Sequence, residues 1–597
     1  MDSKELLKWL SYPIDSKNIL RKRKTIKKNL LSRNFSYKVK IAILGGSTTS
    51  EIKNILELFL LKNDIKPYFY ESKYGQYYEE ALFENKNLDE FKPDIIYIHS
   101  THLNISNHVE INCTASEVDC AIEREVDKYS SIWRALDRFN CNIIQNNFDY
   151  PVDRNLGNLD GYDIHGKVHF INRLNLELSD CARKNNNIFI HDINYLASQI
   201  GLTNWFDRSL WYQAKYAVSM DSIPKLAFNL SKLINAIIGN SKKCLVLDLD
   251  NTCWGGVIGD DGICGIDIGV DTTTANVYTD FQKYAKNLKD RGIILCVCSK
   301  NDLKNAKEGF EHPDSVLTLS DFSSFKANWR PKYENILSIA NEVNIGIDSM
   351  VFVDDNPVER EIVMDKVPSI SVPNVGSDVI NFIDHIDKGG YFELPNLSSD
   401  DIDRSVYYQD NKQRLEQQAV FKSYDNFLLS LDMESEIKTF SNLYIDRITQ
   451  LTNKTNQFNL TTKRYNASEM DSVYHSDTHI KIYGRLKDKF GDNGLVSVII
   501  GNIVDSACHV DVWLMSCRVL QRKMELAMLD ELINHCKKRK VLELFGYYYK
   551  SSKNEMVSSM YMGFGFELVK RDGLDTVWRL NISSYEKKNK LIEVLNG

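Results

Sequence analysis

Apolar residues along this chain fall in short runs that end on glycine, serine or acid. Longer stretches with an apolar residue every third or fourth position lie between them. KVKIAILGG (38–46), KPDIIYIHS (92–100), NIIQNNF (142–148) and NIFIHDI (187–193) read as buried strands, and TSEIKNILELFLLKN (49–63) and PKLAFNLSKLINAII (224–238) as helices. The same alternation restarts with KCLVLDLD (243–250), GIILCVCS (292–299) and SMVFVDD (349–355), separated by helical TANVYTDFQKYAKNLKD (274–290) and PKYENILSIANEV (331–343). Strand, helix, strand in this order predicts parallel sheets. Toward the C-terminus the pattern changes: GLVSVIIGNIV (494–504) and ACHVDVWLM (507–515) follow one another directly before helical ELAMLDELINHCKKR (525–539), an α+β order.

These shifts divide the chain into a basic helical lead-in (1–38), a first α/β domain (39–240), a second (241–396), a polar helical linker (397–433) and an α+β domain (434–597). A chain of 597 residues is too long for one core, and at about 100–200 residues per domain such a division is expected. With 43% hydrophobic residues and a net charge of -7, the composition is that of a globular protein, and no domain is basic enough for a nucleic-acid surface. RKRKTIKK (21–28) is read as a solvated helix face. No apolar run approaches the ~18 residues a membrane span needs. The N-terminus has no apolar signal core and the twelve cysteines show no disulfide or zinc spacing, so a reducing cytoplasm is expected.

The second α/β domain carries the strongest chemical signal. In parallel sheets ligands gather at the carboxyl ends of the strands. There stand Asp248 and Asp250 on the first strand, Ser299 on the second, and Asp354 with Asp355 on the third, while Lys332 opens a helix behind Pro331. Phosphoryl chemistry uses such a set: a carboxylate nucleophile, a second carboxylate to protonate the leaving oxygen, a hydroxyl and an ammonium to hold phosphate, and hard oxygen ligands for Mg²⁺. Singly, each residue has a plain structural reading; Ser299, for instance, suits a helix cap.

DLDNTCWGGVIGDDG, CSKND, NWRPKYENI and VFVDDNPVERE together resemble the haloacid dehalogenase (HAD) superfamily, and within it the FkbH-like branch. The resemblance implies Asp248 as nucleophile, Asp250 as general acid, and Ser299, Thr252 and Lys332 as substrate contacts. It further implies Mg²⁺ held among Asp248, Asp250, Asp354 and Asp355. Too few residues separate Asp248 from Cys296, or Ser299 from Lys332, for a large cap domain, so a bulky substrate is admitted.

The FkbH-like resemblance also implies a glyceryl donor, 1,3-bisphosphoglycerate, whose acyl group is loaded as a thioester on an acyl carrier protein for polyketide or related biosynthesis. Cys298, beside Ser299, is then the first candidate acyl acceptor and Cys253 the second. A carrier is expected in trans, because Ser349 of GIDSM runs straight into a strand. The alternatives are a plain HAD phosphatase and a carrier-binding scaffold.

The flanking domains carry weaker resemblances. LGGST makes the first domain SGNH-like with Ser47 as a candidate nucleophile, but WFDRSLWY offers Asp207 without the histidine that pattern requires. MSCRVLQRKMELAML with SSKNEMVSSMYMGFGFE makes the last domain GNAT-like. Its phosphate-binding turn, Arg518 to Lys523, lacks glycine, and Asn554 and Tyr561 are read as structural.

Overall fold

The computed structural model describes residues 3–595 except 36, 108, 403, 419 and 552; the outermost ends of the expected lead-in and last domain lie outside the described residues. The protein is a mixed α/β, multidomain chain with two parallel sheets. It forms two compact units, 1–235 with 466–469, and 236–465 with 470–597. The sequence predicts three globular domains. The second and third share one unit because the linker helix Arg404–Gln418 packs into both: Tyr408 lies in the core of the smaller sheet, while Arg414 forms a buried ion pair with Asp488 of the larger.

In the first unit, β1 (Tyr37–Gly45), β2 (Ile65–Glu71), β3 (Ile95–His99), β4 (Asn142–Asn146) and β5 (Ile188–His191) form a parallel sheet in the order β2-β1-β3-β4-β5. The hydrophobic pattern misses β2, an edge strand that carries Pro67 and has only two fully buried positions. The basic cluster lies on the helix Ser16–Leu31, whose Ile19, Ile26 and Leu30 are buried; Arg23 and Lys27 pair with Glu51 and Glu57 at 2.6 Å.

In the second unit, β6 (Cys244–Leu247), β7 (Ile294–Ser299), β8 (Phe322–Ala327) and β9 (Met350–Val353) form a parallel sheet in the order β8-β7-β6-β9. β8, also at an edge, escapes the sequence pattern because Ser323, Ser324 and Lys326 interrupt its apolar positions. Side chains alternate across the sheet: Leu245, Leu247, Leu295 and Val297 enter one core, and Cys244, Val246, Cys296 and Cys298 the other, under the helix Lys332–Glu342.

The rest of the chain adds β10 (Met433–Thr439), β11 (His479–Asp488), β12 (Gly491–Val504), β13 (Ala507–Met515), β14 (Glu543–Tyr548), β15 (Glu567–Asp572), β16 (Asp575–Asn581) and β17 (Ile592–Val594). They make one eight-stranded sheet in the order β15-β16-β14-β13-β12-β11-β10-β17. β13 and β14 pair in parallel only from Ala507↔Glu543 to His509↔Phe545, and then diverge. Among the described residues no helix is long and apolar enough to cross a membrane.

Candidate active site

β6 is wholly buried, and the Asp248 N–H donates to the Val353 carbonyl at 3.0 Å, so Asp248 leaves the sheet in register with the end of β9. The chain then turns at Asn251, whose φ of 55° lies in the left-handed region that asparagine tolerates; its Oδ1 accepts from the Gly256 N–H at 3.1 Å. Gly256 holds a φ of 86°, strained for any other residue, and a Cβ there would have to push Asp261 Oδ2 aside from 2.6 Å. The sequence motif thus encodes a tight return that brings Trp254 and Ile258 back over Asp250.

Lys332 is 4% exposed and joins two strand ends: Nζ lies 2.9 Å from Asp248 Oδ2 and 2.6 Å from Asp354 Oδ2. One carboxylate oxygen each from Asp248, Asp354 and Asp355 lies within 4.8 Å of the others. Burial pushes the Asp354 and Asp355 carboxyls up, and Asp248 adds to the shift in both. Burial opposes the charge on Lys332, but Asp248 and Asp354 outweigh it and hold the ammonium above the usual lysine range. Three clustered acids face one lysine, and Asp248 Oδ1 is buried without a hydrogen-bond partner. Such an orphan acceptor costs about 1–3 kcal/mol, more when charged. An all-oxygen donor set with surplus negative charge and an unused buried oxygen fits a hard divalent cation.

Asp250 stands apart from that cluster. Its Oδ1 accepts from Trp254 Nε1 at 3.0 Å and the Ile258 N–H at 3.1 Å, and its Oδ2 from Asn301 Nδ2 at 2.9 Å. Burial raises its pKa despite these donors. Expected among the metal ligands, Asp250 lies outside the group formed by Asp248, Asp354 and Asp355, and donors engage both its oxygens. Thr252, expected to touch substrate, is buried with its hydroxyl accepting from the Asp355 N–H at 3.2 Å; it anchors the acidic loop. Ser299 closes β7, buried, with its carbonyl accepting from Asn328 N–H at 3.2 Å.

The cysteines expected as acyl acceptors do not reach the site as nucleophiles. Cys298 is fully buried in the apolar core, its Sγ 3.5 Å from the Lys332 carbonyl, and burial drives its thiol far above the ordinary range despite Lys332. Cys253 is also fully buried, with Sγ 3.2 Å from the Asp248 carbonyl and its thiol raised by burial and by Asp248. A thiol held neutral in an apolar core is a poor nucleophile.

Residues that the strand-end reading did not assign complete the support. Asn301 steers Asp250, and Asn356 donates its N–H to Asp354 Oδ1 at 2.9 Å. Arg360 Nη1 bridges the carbonyls of Asp354, Asp355 and Gly376 at 2.6, 2.7 and 2.9 Å. Asn356-Pro357, a cap followed by proline at the first helical position, is the sequence signal for this last group.

Elsewhere, Ser47 is buried without a partner for its hydroxyl, and Asp207 caps the helix Arg208–Ala214 by accepting from the Leu210 N–H at 3.0 Å. In the last region Gln521 (φ 68°) and Lys523 (φ 63°) adopt the conformation that glycine would favour. Arg522, within the turn Arg518 to Lys523, pairs with Asp488 at 2.9 Å inside a buried cluster with Arg414. Asn554 is fully buried and bonds the carbonyls of Asn459 and Tyr549, each at 2.9 Å.

Residues 40–235 match the family described as FkbH, N-terminal domain. The N-terminal part of the protein BF1531 from Bacteroides fragilis, a crystal structure containing a phosphatase domain complexed with Mg, is 30% identical and has a TM-score of 0.58; the match covers 63% of this chain and 98% of that one. The chain belongs to the FkbH-like family of HAD-type phosphatases. The ribosomal-protein-S18-alanine N-acetyltransferase of Escherichia coli matches at 12% identity and a TM-score of 0.21, over 26% of this chain and 99% of that one. The PaiA N-acetyltransferase of Thermoplasma acidophilum, in complex with coenzyme A, matches at 16% and 0.20, over 25% and 99%. Nothing about this chain follows from likenesses that slight. No curated protein sequence matches the chain.

Proposed function

We propose that this protein is a Mg²⁺-dependent enzyme acting on an acyl phosphate, 1,3-bisphosphoglycerate, and passing the glyceryl group as a thioester to an acyl carrier protein in polyketide or related biosynthesis. The observation that carries the phosphate chemistry is Lys332 bridging Asp248 and Asp354 beside the unpartnered Asp248 oxygen. The Mg in the Bacteroides fragilis structure supports the choice of cation. Asp248, Asp354 and Asp355 would hold it, and when bound it neutralises charge on the phosphate.

One acyl phosphate offers this site two reactions. If the Asp248 carboxylate attacks phosphorus, an aspartyl phosphate forms, the acyl carboxylate leaves, and water later releases phosphate: the outcome is hydrolysis. If a thiolate attacks the acyl carbon instead, the carbon–sulfur bond forms and the carbon–oxygen bond to phosphate breaks. Lys332 then meets the charge on the departing phosphate. The thiolate comes from the carrier's phosphopantetheine, because Cys253 and Cys298 are sealed in the core. In this reading Asp250 serves as the acid for leaving oxygens, and the carrier approaches in trans.

The GNAT-like region serves docking in this account. Arg522 is committed to Asp488 and the turn lacks glycine, which weighs against an active coenzyme A site. The twelve free cysteines suit a reducing cytoplasm. Incubating the protein with 1,3-bisphosphoglycerate, Mg²⁺ and a phosphopantetheinylated carrier, then weighing both proteins, tests the proposal. A glyceryl adduct on the carrier supports it. Phosphate release alone indicates a plain phosphatase, and neither product leaves a scaffold.

A further inference from the structure

The first unit holds a cavity of about 360 Å³ that plays no part in the site above. His102 lines it, on the short turn His102–Asn104 that follows β3. Its Nδ1 lies 3.0 Å from Asp149 Oδ1, and its backbone N–H donates to the same oxygen at 2.9 Å. The other Asp149 oxygen accepts from Trp205 Nε1 at 2.8 Å. Asp149 is fully buried; burial works against its charge, yet His102 and these donors hold the carboxyl below its usual range. An ionised, immobile carboxylate on Nδ1 fixes the imidazole as the tautomer with Nε2 free to take a proton.

The walls suit an organic substrate. Phe170, Phe206, Trp211 and Tyr212 line the cavity, with the Phe206 ring edge-on to His102 at 6.3 Å. Two cations stand among the lining residues. Arg208 is paired with Asp153, whereas Lys167 is exposed, and no described acid forms an ion pair with it.

We propose that this cavity is a second, hydrolytic site, in which His102 is the general base and Asp149 its positioning residue. Its substrate is an ester or thioester with a short apolar acyl group that ends in an acid. Water oxygen bonds to the acyl carbon as His102 Nε2 takes the proton. The bond from that carbon to the alkoxide or thiolate then breaks, and the imidazolium returns the proton to the leaving group. The sequence reading sought a base for Ser47 after Asp207; the dyad comes from the ends of β3 and β4 instead, and Ser47 is not among the residues lining the cavity.

The test uses the full chain carrying Asp248→Asn, which silences the first site, with p-nitrophenyl butyrate and p-nitrophenyl hemisuccinate as probes. Both esters are expected to be cleaved above the buffer rate, and His102→Ala to lower kcat about 100-fold or more, the range of a general base. Asp149→Asn is expected to lower kcat with KM held. Lys167→Ala, at an exposed position, is expected to raise KM for the hemisuccinate and leave that for the butyrate unchanged. No cleavage above buffer overturns the proposal, as does an unchanged kcat in a His102→Ala protein of normal melting temperature. If His102→Ala fails to fold, Lys167→Ala decides: a KM for the hemisuccinate that does not move overturns it.

Discussion

The two parallel sheets end very differently. At the ends of β6 and β9, Asp248, Asp354 and Asp355 crowd around one lysine and leave a buried oxygen without a donor. At the ends of β3, β4 and β5, buried neutral groups bond one another, with His99 Nε2 left without a partner. Asn146 links His99 to His191 with two contacts of 3.0 Å, Tyr97 adds a third to His99, and Asn229 meets His191 at the same distance. A buried network of paired neutral groups holds a fold together. One that stays charged and incomplete is completed by a ligand. Inside the strand ends the same topology therefore yields a neutral hub of paired side chains in one sheet and a cluster of unmatched buried charge in the other.

The largest effect expected is on the charged side of this comparison. Asp248→Asn should lower Mg²⁺-dependent phosphate release from an acyl phosphate by about 10⁴-fold or more, as for loss of a nucleophile, in a steady-state assay. Lys332→Met comes next. It strands two buried carboxylates, so without divalent cation the melting transition should reflect a loss of about 3–5 kcal/mol. Adding Mg²⁺ should recover part of that loss, and no recovery would separate the lysine from the cation site. Asn301→Ala removes one of three donors to Asp250, a change of about 1–3 kcal/mol. It should slow turnover by about tenfold with little change in KM.

The neutral hub responds to pH. Burial depresses both His99 and His191 to about 4, so the unfolded chain binds more protons than the folded one between that value and the usual 6.5. The stability that these histidines contribute is complete above about 6.5 and falls as pH drops toward 4, by a few kcal/mol at most. Urea midpoints across that window should decline in the wild type and decline less in a His191→Gln variant. The smallest effect is reserved for Cys298→Ala. Carrier loading should persist within about twofold, because a buried neutral thiol takes no part; trapping a glyceryl adduct that this substitution abolishes would restore Cys298 as acceptor.

Much of the acidic site is legible in the sequence because its residues sit at strand ends, where an apolar run stops on acid. Asp248, Lys332, Asp354 and Asp355 meet as the spacing of KCLVLDLD, RPKYENI and VFVDD suggests. Cys298 misleads because adjacency to Ser299 says nothing of what lies above it, and the helix Lys332–Glu342 covers it. The ion pair of Arg522 is hidden for a related reason: its partner Asp488 lies 34 positions away, and only the fold brings them together. Asp250 is legible as an acid, but its detachment from the acidic cluster depends on the Asn251 turn, which brings Trp254 and Ile258 onto its oxygens. Strands β2 and β8 are edge strands with polar faces, and hydrophobic periodicity is weakest there.

Calorimetric titration of Mg²⁺ into the wild-type protein and into Asp354→Asn with Asp355→Asn tests the central claim most directly. One site of measurable affinity in the wild type, absent from the double variant while its melting temperature shows an intact fold, is the predicted result. Equal Mg²⁺ binding by the two proteins, or none by the wild type, would contradict it.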